Sequence, residues 1–320
     1  EMEEQIWLSN NPYAIHILSF HSARADGLRD NSQPDSDADS MDNASEPDKT
    51  AQYTLPIDFT AGYEPNPACY TENSYKDDSI EVNIETRVDN NLDYYIAYVK
   101  IKDASQFRTA IAGTKLASTK QLKPTQIAAD HQAVIAFSGD DYVEHTDYKT
   151  FEYRMGQRIR GKRNNNKDAL VIDQNGDFHL YIPLNDANLK EVLASDYTVI
   201  NAFTFGPALV KDGELLVTNN SYMFNPNRLE PRLAIGQLGP LSYVFVLVKS
   251  HSGADSGLTH QQLADFMYDL GCLQAYNLDG GNTATIVFNG TCIHGRNGAA
   301  ERPQSDIIYF ASAVQTDTWR

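Results

Sequence analysis

The chain has 320 residues, 41% of them hydrophobic, with 26 basic against 43 acidic side chains and a net charge of −17. That length suffices for one large domain or two ordinary ones, and no apolar run approaches the roughly 18 residues that a bilayer crossing needs. The acidic balance repels phosphate backbones and speaks against nucleic-acid binding.

Three cysteines, Cys69, Cys272 and Cys292, make neither a disulfide framework nor a metal-binding spacing. They are expected as free, mostly buried thiols. The sequence opens at Glu1 without the basic and apolar regions of a signal peptide.

Ile6–Phe20 mixes apolar and polar residues and reads as a strand. Residues 26–48 carry Asp26, Asp30, Asp35, Asp37, Asp39, Asp42, Glu46 and Asp48 among Ser, Asn and Pro. So little apolar surface cannot offset ordering entropy, so a solvated loop is expected. The spacing lacks the Gly and closing Glu of a calcium loop. Tyr53–Tyr75 reads as irregular coil. The expected organisation is an N-terminal extension over 1–78, containing the acidic loop 26–48, and a catalytic domain over 79–320.

Regular structure begins near Asp78. Ile80, Val82 and Ile84 alternate with Glu81, Asn83 and Glu85, the period of a half-buried strand. A second run, Tyr94–Lys102, follows the turn pair Asn90-Asn91, so a hairpin is expected. Pro124–His131 reads as a short helix and Ala133–Phe137 as a buried strand. Ala169–Asp173 and Phe178–Ile182 form a hairpin around Asn175-Gly176. Ala187–Leu193 is a short helix, and Leu209–Val217 turns at Asp212-Gly213.

The clearest helix is Thr259–Leu270. Thr259 and Gln262 make a capping box, Leu263, Phe266, Met267 and Leu270 share one face, and Gly271 is the stop. Strands Leu273–Asn277 and Thr285–Phe288 flank the turn 278–284, and Asn289-Gly290 opens another hairpin. Many hairpins and few helices predict an α+β fold, mainly antiparallel sheets with a few packed helices.

The stretch from Asn277 to Thr285 carries the most chemistry per residue. Gly280 and Gly281 let the backbone approach a ligand, with amides that can gather around an anion. Asn277, Asp279, Thr283 and Thr285 add amide, carboxylate and hydroxyl groups. The alternative on composition is a tight connection in which Asp279 caps local N–H groups.

Taken in order, Arg108-Thr109-Ala110, Phe137–Asp141, Phe205-Gly206-Pro207-Ala208-Leu209-Val210, Arg232-Leu233-Ala234-Ile235-Gly236, Tyr243–Val248, the capped helix and Asn277-Leu278-Asp279-Gly280-Gly281 resemble the phosphodiester glycosidase family, the family of the lysosomal uncovering enzyme. The resemblance spans roughly residues 79–312. Three blocks depart from the family pattern. Gly-Ser-Ser-Thr is replaced by Asn282-Thr283-Ala284-Thr285, the Asp-Gly-Arg block reads Lys249-Ser250-His251-Ser252, and the Asn of Asn-Gly-Asp is Ser138.

The resemblance implies a hydrolase that cleaves a sugar from a sugar-1-phosphodiester, in an exopolysaccharide or glycoconjugate, acting outside the cell or at its surface. An ordinary glycosidase or transglycosidase, and a catalytically inactive carbohydrate-binding protein, are the alternatives. Asp279 is expected at the reacting centre with Asp140 or Asp141 as its partner, and Arg232 as the phosphate clamp, because its planar fork suits phosphate oxygens. His145 and His251 are candidate proton donors to the bound substrate, and Arg158 and Arg160 near Gly161 read as solvated surface, with added positive charge at the site as the alternative. A divalent cation, calcium or magnesium, on Asp140, Asp141 or Asp279 stays open, since no ligand spacing requires it. The expected partner is a carbohydrate or sugar phosphate. The oligomeric state is not fixed by the sequence.

Overall fold

The computed structural model describes residues 51–116, 119–140, 142–143, 150–252, 256–293 and 301–315. The expected strand Ile6–Phe20, the acidic loop 26–48, Asp141 and His145 lie outside the described residues. Asp48–Arg320 forms one compact unit.

Three antiparallel sheets and three α-helices make up the described residues. The first sheet runs β1 (Ser74–Lys76), β2 (Ile80–Asp89), β3 (Leu92–Ile101), β14 (Ser242–Ser250), β13 (Arg232–Gly239), β15 (Gln274–Leu278), β11 (Ala208–Lys211) and β12 (Glu214–Leu215). The second runs β7 (Gln157–Gly161), β6 (Phe151–Arg154), β10 (Val199–Phe203), β8 (Ala169–Asp173) and β9 (Phe178–Tyr181). The third runs β17 (Thr291–Cys292), β16 (Ile286–Phe288), β5 (Ala133–Ser138), β18 (Asp306–Ala311) and β4 (Phe107–Ile111). The helices are α1 (Pro124–Asp130), α2 (Asp186–Ala194) and α3 (His260–Asp269). This is the α+β architecture with mainly antiparallel sheets that the hairpin signals predict.

The local chemistry explains the elements. Asn90 and Asn91 both take positive φ, at 48° and 61°, as a tight two-residue hairpin between right-twisted strands requires. Asn289 and Gly290 do the same between β16 and β17. Thr259 caps α3, with Thr259 Oγ1 accepting from the Gln262 amide and the Gln262 side chain accepting from the Thr259 amide. Leu263 and Met267 are buried on its inner face with His260 and Ala264. Phe266 instead stacks on Tyr94, with ring centroids 5.1 Å apart.

One apolar core joins all three sheets: Leu233, Leu247 and Leu278 from the first, Leu170, Ile172 and Phe203 from the second, Phe137, Ile286 and Phe310 from the third. Phe137 and Phe245 stack face to face across the sheets, 3.6 Å between centroids. Helix α1 covers the far side of the third sheet through Ile127 and Ala128, and α2 covers the second through Val192.

Part of the stretch read as an N-terminal extension is packed into this body. Tyr75 is fully buried. The buried Arg108 guanidinium donates to the carbonyls of Pro56, Asp58 and Thr60. Cys69, Cys272 and Cys292 are free thiols; Cys272 is buried, and burial pushes its pKa up. Among the described residues no helix is long and apolar enough to cross a membrane.

Candidate active site

Asp279 leaves the end of β15 at one edge of the first sheet. In the register Leu233 faces Leu278, and Arg232 faces Val248. The chain then crosses to the third sheet, where β16 pairs with β5. The crossing is pinned at both ends. Gly281 N–H donates to Pro231 O at 2.8 Å, and Thr285 and Ser138 exchange bonds, Thr285 N–H to Ser138 Oγ at 3.2 Å and Ser138 N–H to Thr285 O at 3.1 Å.

Gly280 is required by contact: a Cβ there would stand 2.6 Å from Pro231 O, well inside any real carbon–oxygen approach. Gly281 holds φ at +57°, the left-handed region that favours glycine.

The structure sorts the expected site residues by what their polar atoms meet. Asp279, Gly280 and Gly281 are half-buried and Asn282 is exposed, so this tip reaches solvent. Thr283 and Thr285 are buried, and their hydroxyls donate inward to Gly280 O at 2.8 Å and Thr283 O at 2.9 Å. They stabilise the turn rather than offer donors to a substrate. The amide cradle expected from the two glycines is reduced for the same reason: Gly281 and Thr283 direct their N–H groups to Pro231 and Gly280 carbonyls. Asn277 is buried and donates from Nδ2 to Gly206 O at 2.8 Å, leaving its Oδ1 buried without a partner.

Arg232 is not placed as the expected clamp. It is 3% exposed, and every guanidinium N–H has an acceptor in the protein. Nε donates to Leu258 O at 2.9 Å, Nη1 to Phe224 O at 3.1 Å and to His260 Nε2 at 3.0 Å, Nη2 to Asn225 O at 2.8 Å and Arg228 O at 3.0 Å. Burial lowers its pKa, partly offset by Glu230. The side chain ties the 224–230 loop and the start of α3 to β13, and has no donor left for a phosphate.

Asp140 likewise turns inward. It is 2% exposed, accepting from Arg154 Nη2 at 2.7 Å and from Thr204 N at 3.3 Å. Arg154 is fully buried and also donates to Asp306 Oδ2 from Nε at 3.0 Å and Nη2 at 2.8 Å, and to Glu152 at 3.3 Å. Burial first, then the Asp140 charge, raises the Glu152 pKa well above its ordinary value. The arrangement anchors the Ser138-Gly139-Asp140 strand end to the second sheet. Its carboxylates are occupied by guanidinium, and among the described residues no three His, Cys, Asp or Glu side chains gather as a metal-binding group. Arg160 lies over the Tyr142 ring, 5.5 Å from its centroid, and its Nη1 donates to Thr150 at 3.4 Å.

His251, one residue past β14, is at the same sheet edge as Asp279. Its Nδ1 donates to Asp93 Oδ1 at 2.5 Å, and 56% of its side chain is exposed.

Two groups escape sequence reasoning. Asp93 is one; it falls between the turn pair Asn90-Asn91 and the apolar run that starts at Tyr94, where a carboxylate reads as part of the turn. Asp168 is the other. It is 6% exposed and accepts from Ala208 N at 2.9 Å, and burial raises its pKa to about 6 against that bond. It sits by Gly206 and the Tyr276 hydroxyl, which donates to Asp168 O at 2.8 Å. An ionisable group poised near neutrality beside Asn277's partner Gly206 is a marker of functional sites. Nothing in its local sequence distinguishes it from a surface aspartate.

Residues 131–311 match the phosphodiester glycosidase family, a span that takes in β5, the Asp279 turn and β18. The chain belongs to the phosphodiester glycosidase family. Its fold is similar to the catalytic domain of zebrafish N-acetylglucosamine-1-phosphodiester alpha-N-acetylglucosaminidase, there auto-inhibited by its pro-peptide. The TM-score is 0.59 at 17% identity, covering 78% of this chain and 87% of that one.

In sequence it is 31% identical over 108 residues to the SPbeta prophage-derived uncharacterized protein YomE of Bacillus subtilis (strain 168). That stretch is 34% of this chain and 17% of YomE.

Proposed function

We propose that this chain hydrolyses the bond between a sugar and a phosphodiester, with Asp279 as the carboxylate that acts at the sugar carbon. The observation that carries the reading is the Asp279 tip. It is the half-exposed end of a turn whose flanks are otherwise buried and whose hydroxyls and amides are turned inward. A rigid turn holds a carboxylate in place without the reorganisation a mobile loop would need. A phosphate monoester leaves readily, so the partner acid that ordinary glycoside hydrolysis demands is less necessary. That agrees with Asp140 being engaged by Arg154. The proposed substrates are carbohydrate phosphodiesters of a polysaccharide or glycoconjugate, met outside the cell or at its surface.

The test is hydrolysis of hexose 1-(methyl phosphate) diesters against matched aryl hexosides. Turnover of the diesters with little on the aryl hexosides supports the reading. Turnover of aryl hexosides alone makes the protein an ordinary glycosidase. Binding to both without turnover makes it a carbohydrate-binding protein.

A further inference from the structure

Arg232 is fully engaged, so the positive charge that a phosphodiester requires at this edge must come from elsewhere. Lys249 and His251 stand at the end of β14. In the register Lys249 faces Asp93, and Leu247 faces Tyr95. Residues two apart on a strand share a face, and Leu247 belongs to the core between the sheets. Lys249 and Asp93 therefore emerge on the face that looks toward the third sheet, the side to which the Asp279 turn crosses.

Lys249 Nζ is 3.6 Å from Asp93 Oδ2 and 5.9 Å from the Tyr95 ring centroid. Asp93 Oδ1 takes the proton on His251 Nδ1. The Asp93 side chain is 11% exposed, so the orienting group is inside and the oriented ring outside. Ser250 Oγ and Ser252 Oγ are 3.1 Å apart, and Asn91 Nδ2 donates to Ser252 at 3.3 Å.

We propose that His251, positioned by Asp93 and supported by Lys249, makes the phosphate contact of this site, while Asp279 acts at the sugar. This rests on the phosphodiester reading above. A carboxylate on Nδ1 fixes the tautomer and leaves Nε2 for an outside partner. Nε2 donates to a phosphate oxygen when both ring nitrogens carry protons. Lys249 brings an ammonium to this end of the strands in a chain of net charge −17. Val248 pairs with Arg232 and Leu233 with Leu278, so β14 and β15 are two strand spacings apart, roughly 10 Å. That offset suits a substrate whose sugar and phosphate are bound by different strands.

Two measurements on the whole chain test this. The first follows the imidazole nitrogens in histidine-labelled protein titrated with inorganic phosphate and with a hexose 1-phosphate, assigned with His251→Gln. Saturable shifts of the His251 resonances are expected with both probes. Unmoved resonances at saturating phosphate overturn the proposal.

The second compares KM and kcat on the hexose 1-(methyl phosphate) diester and the aryl hexoside. For His251→Gln, KM on the diester rises about tenfold or more, the size of a lost charge-assisted bond. Its kcat stays within about twofold, and the aryl hexoside is unaffected. Asp93→Asn gives a smaller loss of the same kind, and His251→Arg restores diester KM. Equal losses on both substrates, or an Arg variant no better than Gln, refute it. If the wild type cleaves neither substrate, the phosphodiester reading fails, and the titration still decides whether His251 binds phosphate.

Discussion

Arg232 Nη1 donates to His260 Nε2 across 3.0 Å, and both side chains are buried. An imidazole that accepts at Nε2 must be neutral. Burial, then the Arg232 charge, lowers the His260 pKa to about 3. The remaining proton is on Nδ1, which has no partner among the described residues. The pair is therefore a fixed dipole under the start of α3, with Arg232 binding four carbonyls besides.

That geometry makes Arg232 a stability residue. Lys offers three donors from one point and cannot reproduce a planar fork saturated on five acceptors. Arg232→Lys is expected to lose about 2–4 kcal/mol by urea unfolding, since several buried carbonyls lose partners at about 1–3 kcal/mol each. Any folded fraction should keep its KM for phosphodiester. A variant as stable as the wild type with a raised KM would return Arg232 to the site.

Asp279→Asn keeps the side-chain size at the turn and removes the charge. Turnover should fall by about two orders of magnitude or more if the carboxylate acts in the chemical step, with the melting temperature little changed. Turnover equal to the wild type in the folded variant would remove Asp279 from the mechanism.

Gly280→Ala addresses the turn itself. The new methyl would stand 2.6 Å from Pro231 O and 3.4 Å from Arg232 Cα. The atoms in the way are backbone, so β13 and the turn must part. A loss of about 1–3 kcal/mol is expected from forced overpacking, together with a fall in kcat as Asp279 moves. Calorimetry and single-turnover kinetics check both. Unchanged values would mean that the turn has slack.

Asp168 gives a pH-dependent prediction. Its folded pKa, about 6, is above the unfolded value of about 3.9. The cost of burying the charge is therefore fully present above about pH 7 and disappears below about pH 3, where the group is protonated in both states. Asp168→Asn should be more stable than the wild type by about 3 kcal/mol at pH 7.5, taking two pKa units at 1.36 kcal/mol each, and equal to it at about pH 3. Urea unfolding at the two pH values measures this. A constant difference would show that Asp168 does not titrate in this range.

Much of the local structure was legible because single residues decide it. Asn90-Asn91 and Asn289-Gly290 fix their hairpins, and Thr259 with Gln262 fixes a helix start. The Asp279 turn stood out for the same reason. The fates of Arg232 and Asp140 were not legible. An arginine that opens an apolar strand looks the same whether it faces a ligand or five protein acceptors, and those acceptors, at Phe224, Asn225, Arg228, Leu258 and His260, follow no spacing rule. Asp140 reads as a free loop carboxylate until Arg154, fourteen residues later and on another sheet, is known to meet it. Asp93 was overlooked because it falls between a turn pair and an apolar run, and nothing local shows that it meets His251, 158 residues later.

The last strand of the third sheet has a consequence for how this protein is made. β18 lies between β5 and β4, so an interior strand of that sheet is supplied by the final stretch of the family-matched region. While the chain emerges from the ribosome, β5 and β4 have open edges until Ala311 is out, and Asp306 is not yet present to meet Arg154. Sheets built from such distant pairings form slowly and expose unpaired edges while they wait. A nascent or prematurely terminated chain ending before β18 is therefore expected to be a substrate for chaperones and proteases rather than a smaller working enzyme.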